Sequence, residues 1–192
     1  MPRPPEKLDA EGLYQKAVRA LARAGRTELE IRRLLRTRAR AGAEGAGDIQ
    51  SVIARLRDHG YLDDQRLAQA VANYQKEVVR HGRGRVLRDL KARGVAPELA
   101  TAAVERNYPN WEGTNEDALL RALVRKKRWK RPEDLRQAAS LYRKLLLAGF
   151  SSAACQRCLR AWRVDAEWLE KLEQAQESIQ PLEESEEQET SL

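Results

Sequence analysis

Apolar residues recur at every third or fourth position along most of this 192-residue sequence, and the alternation typical of strands is nearly absent. Residues with this spacing form an apolar stripe along one face of a helix. The first stripe consists of Tyr14, Ala17, Val18 and Leu21. Nine such stripes follow one another with short connections between them. Because each stripe needs an apolar surface to pack against, the sequence predicts an all-α protein whose helices bury their faces on neighbouring helices.

Helix-start signals stand before several of the stripes. Thr27 and Glu30 have the spacing of a capping box, and Asp63 has the side chain of a good N-cap. Pro97 suits the first position of a helix, because its fixed φ is helical and no N–H is needed there. These residues predict where three of the helices begin.

Two other signals are interpreted from local preference alone. Residues 42–47 read Gly-Ala-Glu-Gly-Ala-Gly, so we expect a flexible loop there, with Asp48 capping the helix that follows. Pro132 is expected to open a later helix in the same way as Pro97.

The stripes group into three rounds of three helices, at a spacing near fifty residues. We predict three tandem three-helix modules that stack into an elongated, curved helical repeat: residues 13–60, 61–109 and 110–163. The outer ranges are expected to be a flexible N-terminus, an extra helix and a disordered acidic tail: residues 1–12, 164–180 and 181–192. Surfaces of this kind favour large partners over small substrates.

Charge is distributed unevenly along the chain. The formal net charge is +7, yet residues 166–192 hold nine glutamates and one lysine, which leaves +15 on the rest. This imbalance points to a polyanionic partner or to a partner with an acidic face, although any one basic run is also compatible with a solvated helix surface. Two basic clusters supply the candidate contacts with a partner or nucleic acid: Arg85, Arg88, Lys91 and Arg93, and Arg125, Lys126, Lys127 and Arg128.

Residues with catalytic or metal-binding chemistry are few. His59 and His81 have no nucleophile or paired carboxylate at a telling spacing. Cys155 and Cys158 have CxxC spacing, but no second pair of cysteines or histidines completes a zinc site, and both lie on an apolar stripe. We therefore interpret them as packing residues and expect a protein that is not an enzyme and uses no metal or cofactor.

The remaining sequence features bear on location. No apolar run approaches the roughly 20 residues that span a membrane, and the first residues lack an apolar signal core. Two cysteines do not suggest a secreted disulfide scaffold. We expect a cytoplasmic protein without membrane association.

Three short motifs follow one another along the chain. Residues 60–68 read Gly-Tyr-Leu-Asp-Asp-Gln-Arg-Leu-Ala, residues 85–95 read Arg-Val-Leu-Arg-Asp-Leu-Lys-Ala-Arg-Gly-Val, and residues 147–150 read Leu-Ala-Gly-Phe. In order and spacing they resemble motifs of the RecX family of RecA modulators, of which the second reads Arg-Ile-x-x-Glu-Leu-x-x-Lys/Arg-Gly-Ile and the third lies near the C-terminus of the family. The resemblance covers residues 13–163. Three positions depart from the usual family residue: Leu67 replaces phenylalanine, Asp89 replaces glutamate, and Ala148 stands where arginine is frequent.

The resemblance implies a three-module helical protein, expected to be a monomer, that lies along the groove of RecA filaments. Such proteins limit filament growth and restrain recombinase and co-protease activity. DNA alone, single- or double-stranded, is expected to bind weakly and without sequence preference. Two alternatives stay open: a non-specific DNA-binding protein of helical modules, and a generic helical adaptor for an acidic partner.

Overall fold

The computed structural model describes residues 7–177, and these residues confirm the all-helical prediction. The ten α-helices of the described part are α1 (Ala10–Arg23), α2 (Glu28–Arg36), α3 (Gly42–Asp58), α4 (Asp64–Tyr74), α5 (Arg83–Ala92), α6 (Pro97–Asn107), α7 (Thr114–Lys127), α8 (Leu135–Leu147), α9 (Ser152–Ala161) and α10 (Ala166–Glu177). A π-helical turn, Gln75–Val79, continues α4. The acidic tail predicted for residues 181–192 lies outside the described residues, and none of the described helices is long and apolar enough to cross a membrane.

The predicted helix starts are confirmed by their hydrogen bonds. The Thr27 hydroxyl accepts from the N–H of Glu30 at 3.1 Å, and the Glu30 carboxylate accepts from the N–H of Thr27 at 3.0 Å, which completes the capping box. The Asp63 carboxylate accepts from the N–H of Arg66 at 2.8 Å, and Pro97 is the first residue of α6. Each cap satisfies an N–H that the helix leaves without a partner, typically worth about 1 kcal/mol.

The prediction of a loop at residues 42–47 is wrong. These residues form the first turns of α3, and Ala41, not Asp48, occupies its N-cap position. One glycine allows close packing here: Gly45 is buried, and a Cβ atom on it would clash with the Arg40 carbonyl oxygen, whereas Gly42 and Gly47 have open space around them. A helical glycine costs roughly 1 kcal/mol relative to alanine. The apolar face that α3 buries further along compensates for that cost.

Pro132 does not open a helix as predicted. α8 begins three residues later, and its N-cap is Asp134, whose carboxylate accepts from the N–H of Gln137 at 2.7 Å. Pro132 is itself buried in the segment before the helix. The Asp134 carboxylate accepts a hydrogen bond from a helix N–H that would otherwise lack a partner, whereas proline has no N–H and satisfies none. The N-cap residue therefore determines where α8 begins.

The described chain forms two compact units, residues 7–78 with 86–109, and residues 79–85 with 110–177. In the first unit α1, α2 and α3 pack together around a fully buried aliphatic core, which includes Leu13, Ile31, Leu35, Ile53 and Leu56, and α4 packs on α6. In the second unit α9 packs against α7 and α8, and α10 packs on α8 and α9. The boundaries of the three predicted modules stay a prediction.

Three glycines of the second unit form a close backbone contact. The N–H of Gly82 donates to the Ala148 carbonyl at 2.8 Å, and the N–H of Gly84 donates to the Gly149 carbonyl at 3.1 Å. Gly149 has a φ of +93°, and a Cβ atom on it would lie 2.1 Å from the backbone nitrogen of Arg85. A side chain at this position is therefore excluded by both conformation and space.

Thr27 gives the first test of the fold. Replacing this fully buried residue by alanine removes a helix cap and leaves the Arg93 carbonyl without the hydroxyl that donates to it at 2.6 Å. We expect Thr27→Ala to lower the free energy of unfolding by about 1–3 kcal/mol in chemical denaturation. The control is Thr114→Ala, at an exposed helix position, where a change within about 0.5 kcal/mol is expected. Equal effects of the two substitutions would contradict this account.

Candidate functional site

Three of the predicted contact residues lie on α5. Arg88 and Lys91 are exposed and three residues apart, so their side chains occupy neighbouring positions on the helix surface. Arg85 is half-buried near the beginning of the same helix. Arg88 and Lys91 are therefore the members of this cluster that are best placed to meet a partner. We call them the α5 pair.

Arg93, the fourth residue of this cluster, makes contacts within the first unit. Its Nε donates to Glu30 Oε1 at 2.9 Å, and its Nη2 donates to Glu30 Oε2 at 3.1 Å and to the Gly25 carbonyl at 2.8 Å. These bonds, with the hydrogen bond from Thr27, fasten the C-terminal end of α5 to the beginning of α2. Arg93 has a structural role that the sequence did not reveal.

The titration of Glu30 reflects this network. Burial by itself opposes ionisation, but the hydrogen bonds from Arg93 and from the Thr27 N–H outweigh it and hold the pKa of Glu30 below its usual value. The hydrogen bond to Glu30 also raises the pKa of Arg93. Both side chains are therefore charged around neutral pH, and the ion pair is a charge-assisted, two-bond contact.

The second predicted cluster lies at the C-terminal end of α7. Arg125, Lys126 and Lys127 form its last turn, and Arg128 caps it with a left-handed φ of 53°. All four side chains are exposed. Cations at a helix C-terminus interact favourably with the helix dipole, which is a structural explanation for basic residues at this end of α7. Because four of them are exposed together, they also make a strongly positive surface.

A groove beside this cluster combines arginines with two tryptophans. It has a volume of about 440 Å³ and lies between α7 and α9. Trp129 and Trp162, both half-buried, line it together with four arginines: Arg121, Arg125, Arg128 and Arg157. The cluster predicted from the sequence included neither tryptophan, and it did not include Arg157. One sequence feature could have indicated the groove: each tryptophan follows the last turn of a helix that carries arginines.

Two polar contacts fix the walls of this groove. Arg157 Nη2 donates to Asp117 Oδ1 at 2.7 Å and its Nε to Oδ2 at 2.9 Å, and this hydrogen bonding raises the pKa of Arg157. The buried carboxylate of Glu116 accepts from the N–H of Ser151 at 2.6 Å and from its hydroxyl at 2.8 Å. Since both acids lie on α7 and both donors belong to α9 or its N-cap, the two helices are held together by paired charge and hydrogen bonds.

The residues with possible redox or acid–base chemistry are engaged in packing. Cys155 is fully buried and Cys158 partly so, and burial raises the pKa of these thiols to about 12 and about 11. His59 Nδ1 lies 2.7 Å from the Tyr14 hydroxyl at the end of α3. Among residues 7–177, no group of three or more His, Cys, Asp and Glu side chains is arranged to hold a metal ion.

Comparison with known proteins gives one family match. Residues 63–104, which span α4 to α6, match the second three-helix domain of RecX. Regulatory protein RecX of Bacillus thuringiensis (strain Al Hakam) and that of Bacillus cereus (strain AH187) are each 28% identical over 151 residues. These residues are 79% of this chain and 54% of each relative, so the chain spans about half the length of the curated relatives it matches.

Solved structures show the same fold. The crystal structure of RecX from Lactobacillus salivarius superposes with a TM-score of 0.60 at 17% identity, over 81% of this chain and 97% of that one. A second crystal structure, of regulatory protein RecX, gives a TM-score of 0.59 at 18% identity, over 79% and 71% of the two chains. The resemblance to the RecX family predicted from the three motifs is therefore confirmed by the domain match at residues 63–104 and by the curated relatives, and the solved structures share the fold.

Proposed function

We propose that this chain binds RecA filaments assembled on single-stranded DNA and restrains their recombinase and co-protease activities. The observation that carries the proposal is the match of residues 63–104 to a RecX domain that presents the α5 pair on its surface. The curated relatives are regulatory proteins by name. A filament wound on DNA is a polyanionic partner, and the strongly positive body of the chain favours such a partner.

Rigid placement of α5 supports this role. Its C-terminal end is fixed to α2 by the Arg93 and Thr27 hydrogen bonds, and Gly94, with a φ of +81°, brings the backbone against Leu29. A charged surface that is already ordered loses less conformational entropy when a partner binds. The α5 pair is thus held on a rigid element before it meets the filament.

The proposed mechanism is a shift in the state of the filament. A protein that contacts neighbouring RecA subunits stabilises one arrangement of those subunits over another. The chain can change filament growth or ATP-driven turnover only if it binds one arrangement of the RecA subunits more tightly than the other, and the size of the change is limited by that difference in affinity. A molecule bound where subunits add would act at fewer than one copy per RecA subunit.

Non-specific DNA binding is a second candidate function. The exposed cations at the end of α7 favour it, because phosphate contacts require accessible positive charge and no particular base-reading geometry. Both functions are compatible in one chain, since the filament itself contains DNA. They differ in whether the protein acts on RecA or only on the nucleic acid.

Charge reversal on α5 tests the first function. We expect Arg88→Glu with Lys91→Glu to raise about ten-fold the concentration that half-inhibits ATP hydrolysis by preformed RecA filaments, at roughly 0.7 kcal/mol per reversed charge. The matched control, Arg19→Glu with Arg106→Glu, reverses two exposed charges on other helices and should change that concentration little. Thermal unfolding followed by circular dichroism checks that both variants fold. Hydrolysis that does not respond to the unsubstituted chain at any ratio would refute the proposal.

The second function is tested by the salt dependence of DNA binding. Binding of a single-stranded oligonucleotide should weaken steeply with salt, and base sequence should not matter. Replacing Arg125 and Lys127 by alanine should make the slope of log K against log salt shallower by about 0.7 for each phosphate that is no longer neutralised. A fluorescence-anisotropy titration measures the slope, and a slope equal to that of the unsubstituted chain would show that these residues do not contact the strand.

A further inference from the structure

The groove between α7 and α9 is unlike the other basic surfaces, because its cations surround an apolar floor. Leu120, Val124 and Ala154 belong to that floor, and the arginines stand around it. The side chains of Trp129 and Trp162 also line the groove, and both are only partly exposed. Bases stack on exposed aromatic faces, whereas an apolar side chain inserts between walls. The groove therefore suits a peptide with an apolar anchor and acidic neighbours better than a nucleic-acid strand.

One segment of this chain has that composition. Residues 178–192 read Ser-Ile-Gln-Pro-Leu-Glu-Glu-Ser-Glu-Glu-Gln-Glu-Thr-Ser-Leu, with five glutamates and no lysine or arginine. Leu182 directly precedes the first pair of glutamates. Against these five negative charges the groove offers four arginines, of which Arg157 is already paired with Asp117.

The segment also starts from the right part of the molecule. It follows α10, which packs on α8 and α9 through the buried residues Leu169 and Leu172, so it leaves from the same unit that contains the groove. Fifteen residues can span up to about 50 Å. A short tether also gives an effective concentration in the millimolar range, so a contact too weak to form between separate molecules is populated within one chain.

We infer that the α7–α9 groove is a docking site for acidic peptides and that residues 178–192 of this chain occupy it, with Leu182 as the apolar anchor. Docking covers Arg125 and Arg128, so it competes with any polyanion for the end of α7. The inference is independent of the RecA proposal, because it concerns a contact within one chain.

Fluorine NMR of the full chain containing 5-fluorotryptophan tests the inference. The Trp129 and Trp162 signals are assigned by Trp129→Phe and Trp162→Phe. Replacing the five glutamates of residues 178–192 by glutamine is expected to shift both signals and to leave Trp111, which stacks on Phe150, unmoved. Raising salt should move the unsubstituted chain toward the same spectrum, since ion pairs of exposed groups are screened.

A double-mutant cycle separates docking from indirect effects. In the Arg125→Glu, Arg128→Glu background, the five Glu→Gln substitutions should no longer shift the groove signals; in the Arg19→Glu, Arg106→Glu background, the shift should persist. Unmoved groove signals in the first comparison overturn the inference. So does a shift that depends on protein concentration, which would assign the occupant to a second copy, or one that an oligonucleotide produces while the glutamine substitutions do not.

Discussion

The contact between Arg93 and the beginning of α2 is the interaction on which the placement of the proposed contact surface on α5 depends. One guanidinium joins the Glu30 carboxylate and the Gly25 carbonyl, and the Thr27 hydroxyl donates to the carbonyl of Arg93 itself. Thr27 is fully buried and Glu30 and Arg93 are partly buried, so breaking the bonds between them leaves polar groups with reduced access to water. The network holds α5 in one position and keeps the α5 pair on a fixed element.

The two basic clusters differ in kind. On α5 the cations lie on the side of a helix within the matched RecX domain, whereas on α7 they end a helix and border an apolar groove. A flat array of charges recognises a polyanion through its phosphates or carboxylates, while charges around apolar walls add a requirement for an apolar anchor. The proposed division is therefore filament contact through α5 and peptide docking at α7–α9.

Local chemistry determined how much could be predicted from the sequence. Thr27, Asp63 and Pro97 act on residues within four positions, and all three starts were predicted correctly. The loop prediction around Gly45 was wrong because the glycine there allows the Arg40 backbone to approach the helix closely. The structural role of Arg93 was not predicted because its hydrogen-bond partners lie more than sixty residues away in the sequence. The groove was missed for the same reason: Trp129 and Trp162 are separated in sequence and line one groove only when α7 packs on α9. Periodicity and caps give the helices, but tertiary contacts decide which charges remain available.

Whether the chain recognises the RecA filament itself can be measured by co-sedimentation. RecA is assembled on single-stranded DNA, this chain is added, and the filaments are pelleted beside two controls: DNA without RecA, and RecA without DNA. We expect the chain to pellet with the filaments at a salt concentration where the DNA-only control leaves it in the supernatant. Equal amounts in the filament and DNA-only pellets at every salt concentration would show that the chain recognises nucleic acid and not the filament, and would contradict the account.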